Sequence, residues 1–391
     1  MDVGWSQLQS ELIEIIARKL TTYADYIRFR AFCVKWRSTL PPIPHHIPSQ
    51  FPWLMLPYNS NSLNRRGFFS LSENKVYWLN LPEICHGSRC CGSSQGWLVL
   101  LGQSPIILLF NPLTSIQIHL PPITTFPKVL DFNISKVGKE YLLMDSPYRR
   151  SLNYMLDLFI KKIVLSSSPA SLSSDYVAVA ILNETGELAF CKKGVRAWTM
   201  IEDAQSYSED VIYYKGSFYA VNLIGSLAIC DISGLSPLVT KIAVPAPQPV
   251  IGADILYLVD SFGELLLVSR HLEFVMDTEP NISVYKTLRF NVFRLDSSLP
   301  YWVEVESLGD CMLFLGGNSS LCLLASDFSG CEGNCIYFTD YDSKANDYGK
   351  RRIHDSGVFN VGDRSIKQLP YCSGFSRLFL PPPIWVITNA C

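Results

Sequence analysis

Leu108-Leu109-Phe110-Asn111-Pro112-Leu113-Thr114-Ser115-Ile116-Gln117-Ile118-His119-Leu120-Pro121 is the stretch on which the fold turns. An apolar run meets Asn-Pro, and a second run follows and ends on Leu-Pro. Turn formers between two such runs spell a strand, a short turn and a closing strand. The closing strand recurs along the chain. It reads Val76-Tyr77-Trp78-Leu79-Asn80-Leu81-Pro82 upstream, and downstream Arg196-Ala197-Trp198-Thr199-Met200-Ile201, Val239-Thr240-Lys241-Ile242-Ala243-Val244-Pro245, Tyr301-Trp302-Val303-Glu304-Val305 and Ser365-Ile366-Lys367-Gln368-Leu369-Pro370. Centred on positions 78, 118, 199, 241, 303 and 367, the steps are 40, 81, 42, 62 and 64 residues. The step of 81 is close to two units, and Lys161-Lys162-Ile163-Val164-Leu165 lies near its middle.

Other apolar, β-branched runs precede each closing strand, among them Gly96-Trp97-Leu98-Val99-Leu100, Tyr176-Val177-Ala178-Val179-Ala180 and Ile255-Leu256-Tyr257-Leu258-Val259. Three or four strands per ~40–45 residues is the unit of a β-propeller blade. The expected fold is therefore mainly β, a propeller of six or seven blades over residues 53–391. The two long steps place insertions near 277–286 and 327–356. Pairing of Trp53-Leu54-Met55 with Ile384-Trp385-Val386-Ile387 would close the ring and remove the open sheet edge.

Composition narrows the partners. Of 391 residues, 48% are hydrophobic and 17% charged, against ~25% charged in an average domain, so intrinsic disorder does not describe this chain. With 33 basic and 35 acidic side chains the formal charge is −2, which offers no global field for nucleic acid or anionic lipid. No apolar run reaches the ~18–20 residues of a membrane helix; the one after Trp97 is cut by Gly102-Gln103-Ser104-Pro105. Asp2, Glu11 and Glu14 precede the first basic residue, Arg18, the reverse of a secretion signal. The expectation is a soluble chain in the cytoplasm, the nucleus or both, with its 12 cysteines as thiols. Outside the secretory route the Asn-x-Ser/Thr matches at Asn133, Asn183, Asn281 and Asn318 carry no meaning.

Residues 1–40 read differently. Leu8, Leu12, Ile13, Ile15, Ile16 and Leu20 recur at helical spacing and cover an arc of about 160°, wider than the ~100° that one packed face needs. Ser6 with Gln9, or Ser10 before Glu11, is placed to cap this helix, and Asp25 to cap a second. A third stretch runs through Cys33-Val34-Lys35-Trp36-Arg37. So short a helical unit cannot bury enough surface to stand alone; either its own second domain or another protein covers the remainder. Pro41, Pro42, Pro44, Pro48 and Pro52 then mark residues 41–52 as a linker, either a semi-rigid strut or a plain boundary, with His45 and His46 solvated.

Trp5-Ser6-x-Leu8-x-x-Glu11-Leu12-Ile13-x-x-Ile16-x-x-x-Leu20, followed by Asp25, Arg28, Arg30 and Phe32-Cys33-x-x-Trp36-Arg37-Ser38, resembles an F-box. Gln9 departs from the family's proline. The resemblance implies a three-helix module docking on the Skp adaptor, and through it on cullin, in a ubiquitin ligase. Leu8, Leu12, Ile16, Leu20 and Trp36 match the contact positions, and they either meet the adaptor or hold the helices together. The remainder resembles the kelch-like associated domain of plant F-box proteins, through Gly96-Trp97-Leu98, the Phe110-Asn111-Pro112-Leu113-Thr114 turn, Asn334-Cys335-Ile336-Tyr337-Phe338-Thr339-Asp340 and the stretch before Trp385. Only Gly316-Gly317 gives the kelch doublet. That likeness implies a non-catalytic substrate receptor whose propeller captures a target protein. The rival readings are a propeller that binds a small molecule or glycan at its central opening, with a vestigial F-box, and a propeller hydrolase.

Chemical motifs are sparse. Gly92-Ser93-Ser94-Gln95-Gly96 matches Gly-x-Ser-x-Gly, but a nucleophile elbow needs a strand before it and a helix after, and here a strand follows. Cys85, His86, Cys90 and Cys91, with Cys331 and Cys335, offer only fragments of a zinc site. Lys350-Arg351-Arg352, with Arg149-Arg150 if folding joins them, reads as a solvated cluster, an acidic-partner patch or an import signal. No catalytic residue, cofactor or metal is expected.

Overall fold

The computed structural model describes residues 4–41, 44, 46–47, 50–56, 65–81, 88–169, 175–183, 185–204, 206–234, 237–242, 247–276, 283–296, 301–339, 355–369 and 383–387. Blade one contains β1 (Trp53–Met55), β2 (Arg65–Ser70) and β3 (Lys75–Asn80), and blade two β4 (Arg89–Ser94), β5 (Trp97–Leu101), β6 (Ile107–Phe110) and β7 (Gln117–Leu120). A side hairpin of β8 (Val129–Phe132) and β9 (Tyr141–Leu143) precedes blade three, which is β10 (Ile160–Leu165), β11 (Val177–Leu182), β12 (Leu188–Lys192) and β13 (Thr199–Met200). Blade four is β14 (Asp210–Tyr214), β15 (Ser217–Val221), β16 (Leu227–Asp231) and β17 (Leu238–Lys241); blade five is β18 (Ile255–Ser261), β19 (Glu264–Met276), β20 (Ser283–Leu295) and β21 (Trp302–Glu304). Blade six runs in the order β23 (Leu321–Leu324), β22 (Cys311–Leu315), β24 (Cys335–Phe338), β25 (Gly357–Asn360) and β26 (Ile366–Gln368). The last strand, β27 (Ile384–Val386), pairs antiparallel with β1, Leu54 opposite Trp385, and seals the ring as expected.

Six blades thus stand among the described residues, and all six closing strands read from sequence are their outermost strands. No seventh blade stands among the described residues: residues 161–165 form the innermost strand of blade three. Of the two expected insertions, the first falls in part on the far ends of β19 and β20, which are 13 residues long each. The second contains β24, a blade strand that pairs in parallel with β22.

Two-residue periodicity explains why the inner strands are apolar without alternation. Trp97, Val99 and Leu101 of β5 enter the core between blades two and three, while Leu98 and Leu100 enter the core between blades one and two. Ala178 and Ala180 of β11 face the first of these, and Val179 and Ile181 the core between blades three and four. Outer strands have one dry face at most, which is why β26 is exposed throughout. At the seam between blades six and one, Trp385 is fully buried and its Nε1 donates to Leu315 O at 3.1 Å.

Three helices precede the ring: α1 (Ser10–Ala17), α2 (Tyr23–Arg30) and α3 (Val34–Thr39), led in by a 3-10 turn at Trp5–Gln7. Neither expected serine caps α1; Gln9 occupies the N-cap with no side-chain bond. Thr22, not Asp25, caps α2, its Oγ1 accepting from Asp25 N. The described linker residues lie against this head. Ile47 is in its core, Tyr26 OH donates to Pro41 O at 2.8 Å, and a ring nitrogen of His46 lies 2.9 Å from Ala17 O, while Phe51 at the linker's end enters the core of the ring. Linker and head are therefore packed together, so a free-standing strut is not what these residues build; His45 lies outside the described residues. The propeller receives the head through the Asn111 turn: Asn111 Oδ1 accepts from Leu113 N and Thr114 N, each at 3.0 Å, and the turn presents Leu113 to the helical core.

Candidate functional site

Helix α1 has two apolar sides. Ile13 and Ala17 point inward and are buried with Tyr26, Trp36 and Leu40. Leu12, one helical step of about 100° from Ile13, is 44% exposed, and Ile15, two residues from both Ile13 and Ala17 and so on the far side from them, is 53% exposed. Trp5, Phe32 and Val34 add exposed apolar surface from the 3-10 turn and the start of α3. The two segments are tied to each other: Trp36 Nε1 donates to Trp5 O at 3.2 Å, and Lys35 Nζ to Leu8 O at 2.7 Å.

Of the five residues carried over from the F-box pattern, Leu12 is open and Leu8, Ile16 and Leu20 are half-buried. Leu8 and Leu20 also rest on the head core. Trp36 is the correction. Only 4% exposed, it packs its ring 4.3 Å from Phe29 and 4.5 Å from Phe32, because an indole with its N–H bonded to a carbonyl loses little by leaving water. It holds the helices together and presents nothing to a partner. The family pattern did not single out as contact positions Ile15, read from sequence at the edge of the wide apolar arc, or Val34, whose neighbours in the closing motif drew the attention. Gln9, the departure from the family pattern, sits at φ −66° and ψ 146°. Proline would fix that same φ, so the lead-in turn keeps its shape.

The two ends of the propeller differ. Antiparallel strands put the first-to-second and third-to-fourth turns of a blade at one end, and the second-to-third turns and blade-to-blade connections at the other. The head docks at the first end, against the β6–β7 turn. At the opposite end the β8–β9 hairpin exposes Ile134, Val137 and Met144, the β15–β16 turn exposes Leu223 and Ile224, and the β19–β20 ribbon exposes Phe274. The hairpin is held in place by Lys128 Nζ, which bridges Asp145 at 2.8 Å and Glu187 of blade three at 3.0 Å.

Around the axis the inner strands bond to one another. Lys162 Nζ lies 2.5 Å from Asp210 Oδ1, whose other oxygen accepts from Leu258 N at 2.9 Å, joining blades three, four and five. Neighbouring Lys161 pairs with Glu209 at 3.6 Å; burial lowers its pKa, and Glu209 and Asp210 pull it back up. The serine position of the Gly-x-Ser-x-Gly match is Ser94, half-buried at the end of β4 and opposite Trp97 of β5; a strand follows it and not a helix, so it forms no nucleophile elbow. Beside it Ser93 is buried, and its Oγ donates to Trp385 O at 3.3 Å and accepts from Asn318 Nδ2 at 2.6 Å, joining blades.

Cys90 and Cys91 enter different cores and so cannot share an ion; burial pushes their thiols up to about 11 and about 12. Cys85 and His86 lie outside the described residues, as do Lys350, Arg351 and Arg352. Arg149 is engaged by Asp131, and Arg150 lies 4.4 Å over the Tyr154 ring. Among the described residues no three His, Cys, Asp or Glu side chains gather as a metal site would require, and no helix is long and apolar enough to cross a membrane.

The described residues thus build a six-bladed ring with a three-helix head whose first helix keeps one apolar side open. The KIB1-4 β-propeller family matches residues 68–360. F-box protein SKIP23 of Arabidopsis thaliana is 30% identical over 415 residues, covering 99% of this chain and 97% of its own. F-box protein At2g17036 is 27% identical over 99% of this chain and 96% of its own, and F-box/kelch-repeat protein At1g64840 is 24% identical over 86% and 84%; both are from the same plant. The chain belongs to the KIB1-4 β-propeller family and is a plant F-box protein with a propeller domain.

Proposed function

We propose that the chain is the substrate-recognition subunit of a Skp-cullin-F-box ubiquitin ligase. The head docks on a Skp-type adaptor through the outward side of α1, with Leu12 and Ile15 at its centre and Leu8, Ile16 and Leu20 beside them. The opposite end of the propeller binds the target protein. The observation that carries this reading is the open side of α1: apolar side chains on a helix whose other side is already packed lose free energy in water until something covers them. The placement of Ile134, Val137, Leu223 and Phe274 at the far end supports target capture there, since such loops carry recognition in rigid scaffolds. The chain itself makes and breaks no bond. It raises the effective concentration of the target beside the transfer enzyme, and partners perform the ubiquitin transfer. The free thiols support a reducing compartment, cytoplasm or nucleus.

The test is co-purification of a Skp adaptor with the intact chain and with a Leu12→Asp/Ile15→Asp double variant. Both residues are open, so thermal unfolding is expected to stay within a few degrees of the parent while adaptor recovery is lost. Undiminished recovery would overturn the assignment.

A further inference from the structure

Between the head and the ring lies a cavity of about 780 Å³, bounded on the head side by Thr21 and Thr22 and on the ring side by blades one and six. Gln50 Nε2 donates to Thr21 O at 3.1 Å and fixes one wall. Another wall is a set of touching rings: Phe51 meets Phe328 at 5.3 Å and Tyr337 at 5.9 Å, both edge-on, with Trp53 alongside. Glu73 and Asp327 supply carboxylates, both on exposed residues. Glu73 accepts from Tyr77 OH; Asp327 forms no hydrogen bond or ion pair among the described residues. No Lys, Arg or His is among the described residues that line the cavity.

We propose that this junction binds a small organic cation, an amine or quaternary ammonium carried on an apolar body. The volume lies within the ~300–1,000 Å³ of small-molecule sites, which favour domain junctions. Aromatic faces attract a positive charge through their quadrupole, and the Asp327 carboxylate, with no partner among the described residues, adds a field of the same sign; Glu73 is answered in part by Arg28 and Lys75, which lie 5.5 Å and 5.1 Å from the ring of its partner Tyr77. An anion would meet the Asp327 carboxylate with no Lys, Arg or His among the described lining residues to neutralise it. Because Thr21 and Thr22 form one wall and Asp327 and Phe328 another, the bound cation touches head and ring together and tightens their attachment. This reading stands independently of what covers the outward side of α1.

Calorimetric titration of the intact chain with benzyltrimethylammonium at low salt tests it, with benzyl alcohol and benzoate as neutral and anionic controls of similar size. The expected result is saturable one-to-one binding of the cation with Kd of about 1 mM, the range for a ligand of this size, and at least about fivefold weaker binding of both controls. Asp327→Asn is expected to weaken the cation about two- to fivefold, and Glu73→Gln/Asp327→Asn more. Both are isosteric changes at exposed positions, and melting of the unliganded variants verifies that they fold. Equal binding of benzoate or benzyl alcohol, an unchanged titration in the double variant, or no cation binding up to about 10 mM would each overturn the proposal.

Discussion

Strand β5 and helix α1 are both apolar on more than one side, yet only the strand is covered on both. No residue of Trp97–Leu101 is more than 2% exposed, because a blade has a neighbour on each side and each neighbour takes alternate side chains. Helix α1 has one neighbour: Ile13 is fully buried while Ile15, two residues on, is half open. A closed ring consumes its own apolar surface. A three-helix head with one packing side cannot, and Leu12 and Ile15 remain open to water.

Substitution can break this contrast at several strengths. Trp385→Ala removes the largest side chain at the ring seam together with its bond to Leu315 O. A loss of about 3–5 kcal/mol is expected, read as a lowered denaturant midpoint of the propeller transition. Ile13→Ala is expected to cost about 2–4 kcal/mol of stability, and Ile15→Ala less than about 0.5 kcal/mol, so equal costs would mean that the two sides of α1 are not as different as their burial. Asn111→Ala strips the acceptor from two backbone N–H groups beneath the head. It is expected to cost about 1–3 kcal/mol and to speed proteolysis between head and ring, an effect invisible if Leu113 is held some other way. Gln9→Pro is small and opposite in sign: φ is already −66° and Leu8 before it is extended at ψ 141°, so a gain of about 0.4–1 kcal/mol in head stability is expected. Thermal melting of the paired variants would reveal a loss instead if the N–H of Gln9 were in use.

Closing strands were legible because they carry their own punctuation, a turn before and Leu-Pro or a polar boundary after. The innermost strand of blade three was not. Ile160–Leu165 contains Lys161 and Lys162, which suggest an exposed outer strand; both are buried because Glu209 and Asp210, almost fifty residues on, meet them at the axis. Pairing at that distance leaves no local mark. In the head, the width of the apolar arc was readable and its division was not: which residues turn inward depends on where Trp36 and Leu40 come to rest. Trp36 matched a pattern that does not distinguish a residue shaping the surface from one belonging to it. Thr22 escaped notice as a cap because Asp25, three positions on, is an equally good capping residue by type.

The strap between β1 and β27 has a consequence in time. On the ribosome the head and Trp53–Met55 emerge well before the partner strand Ile384–Val386. Until synthesis reaches it, β1 has an unpaired inner edge and the pocket for Trp385 stands empty, while the helical head already has Ile47 and Leu113, the residues outside it that its core draws on. Chains halted early would therefore display a finished handle on an open ring, a half-made product with a sticky margin that quality control could detect before any full-length molecule takes up its work.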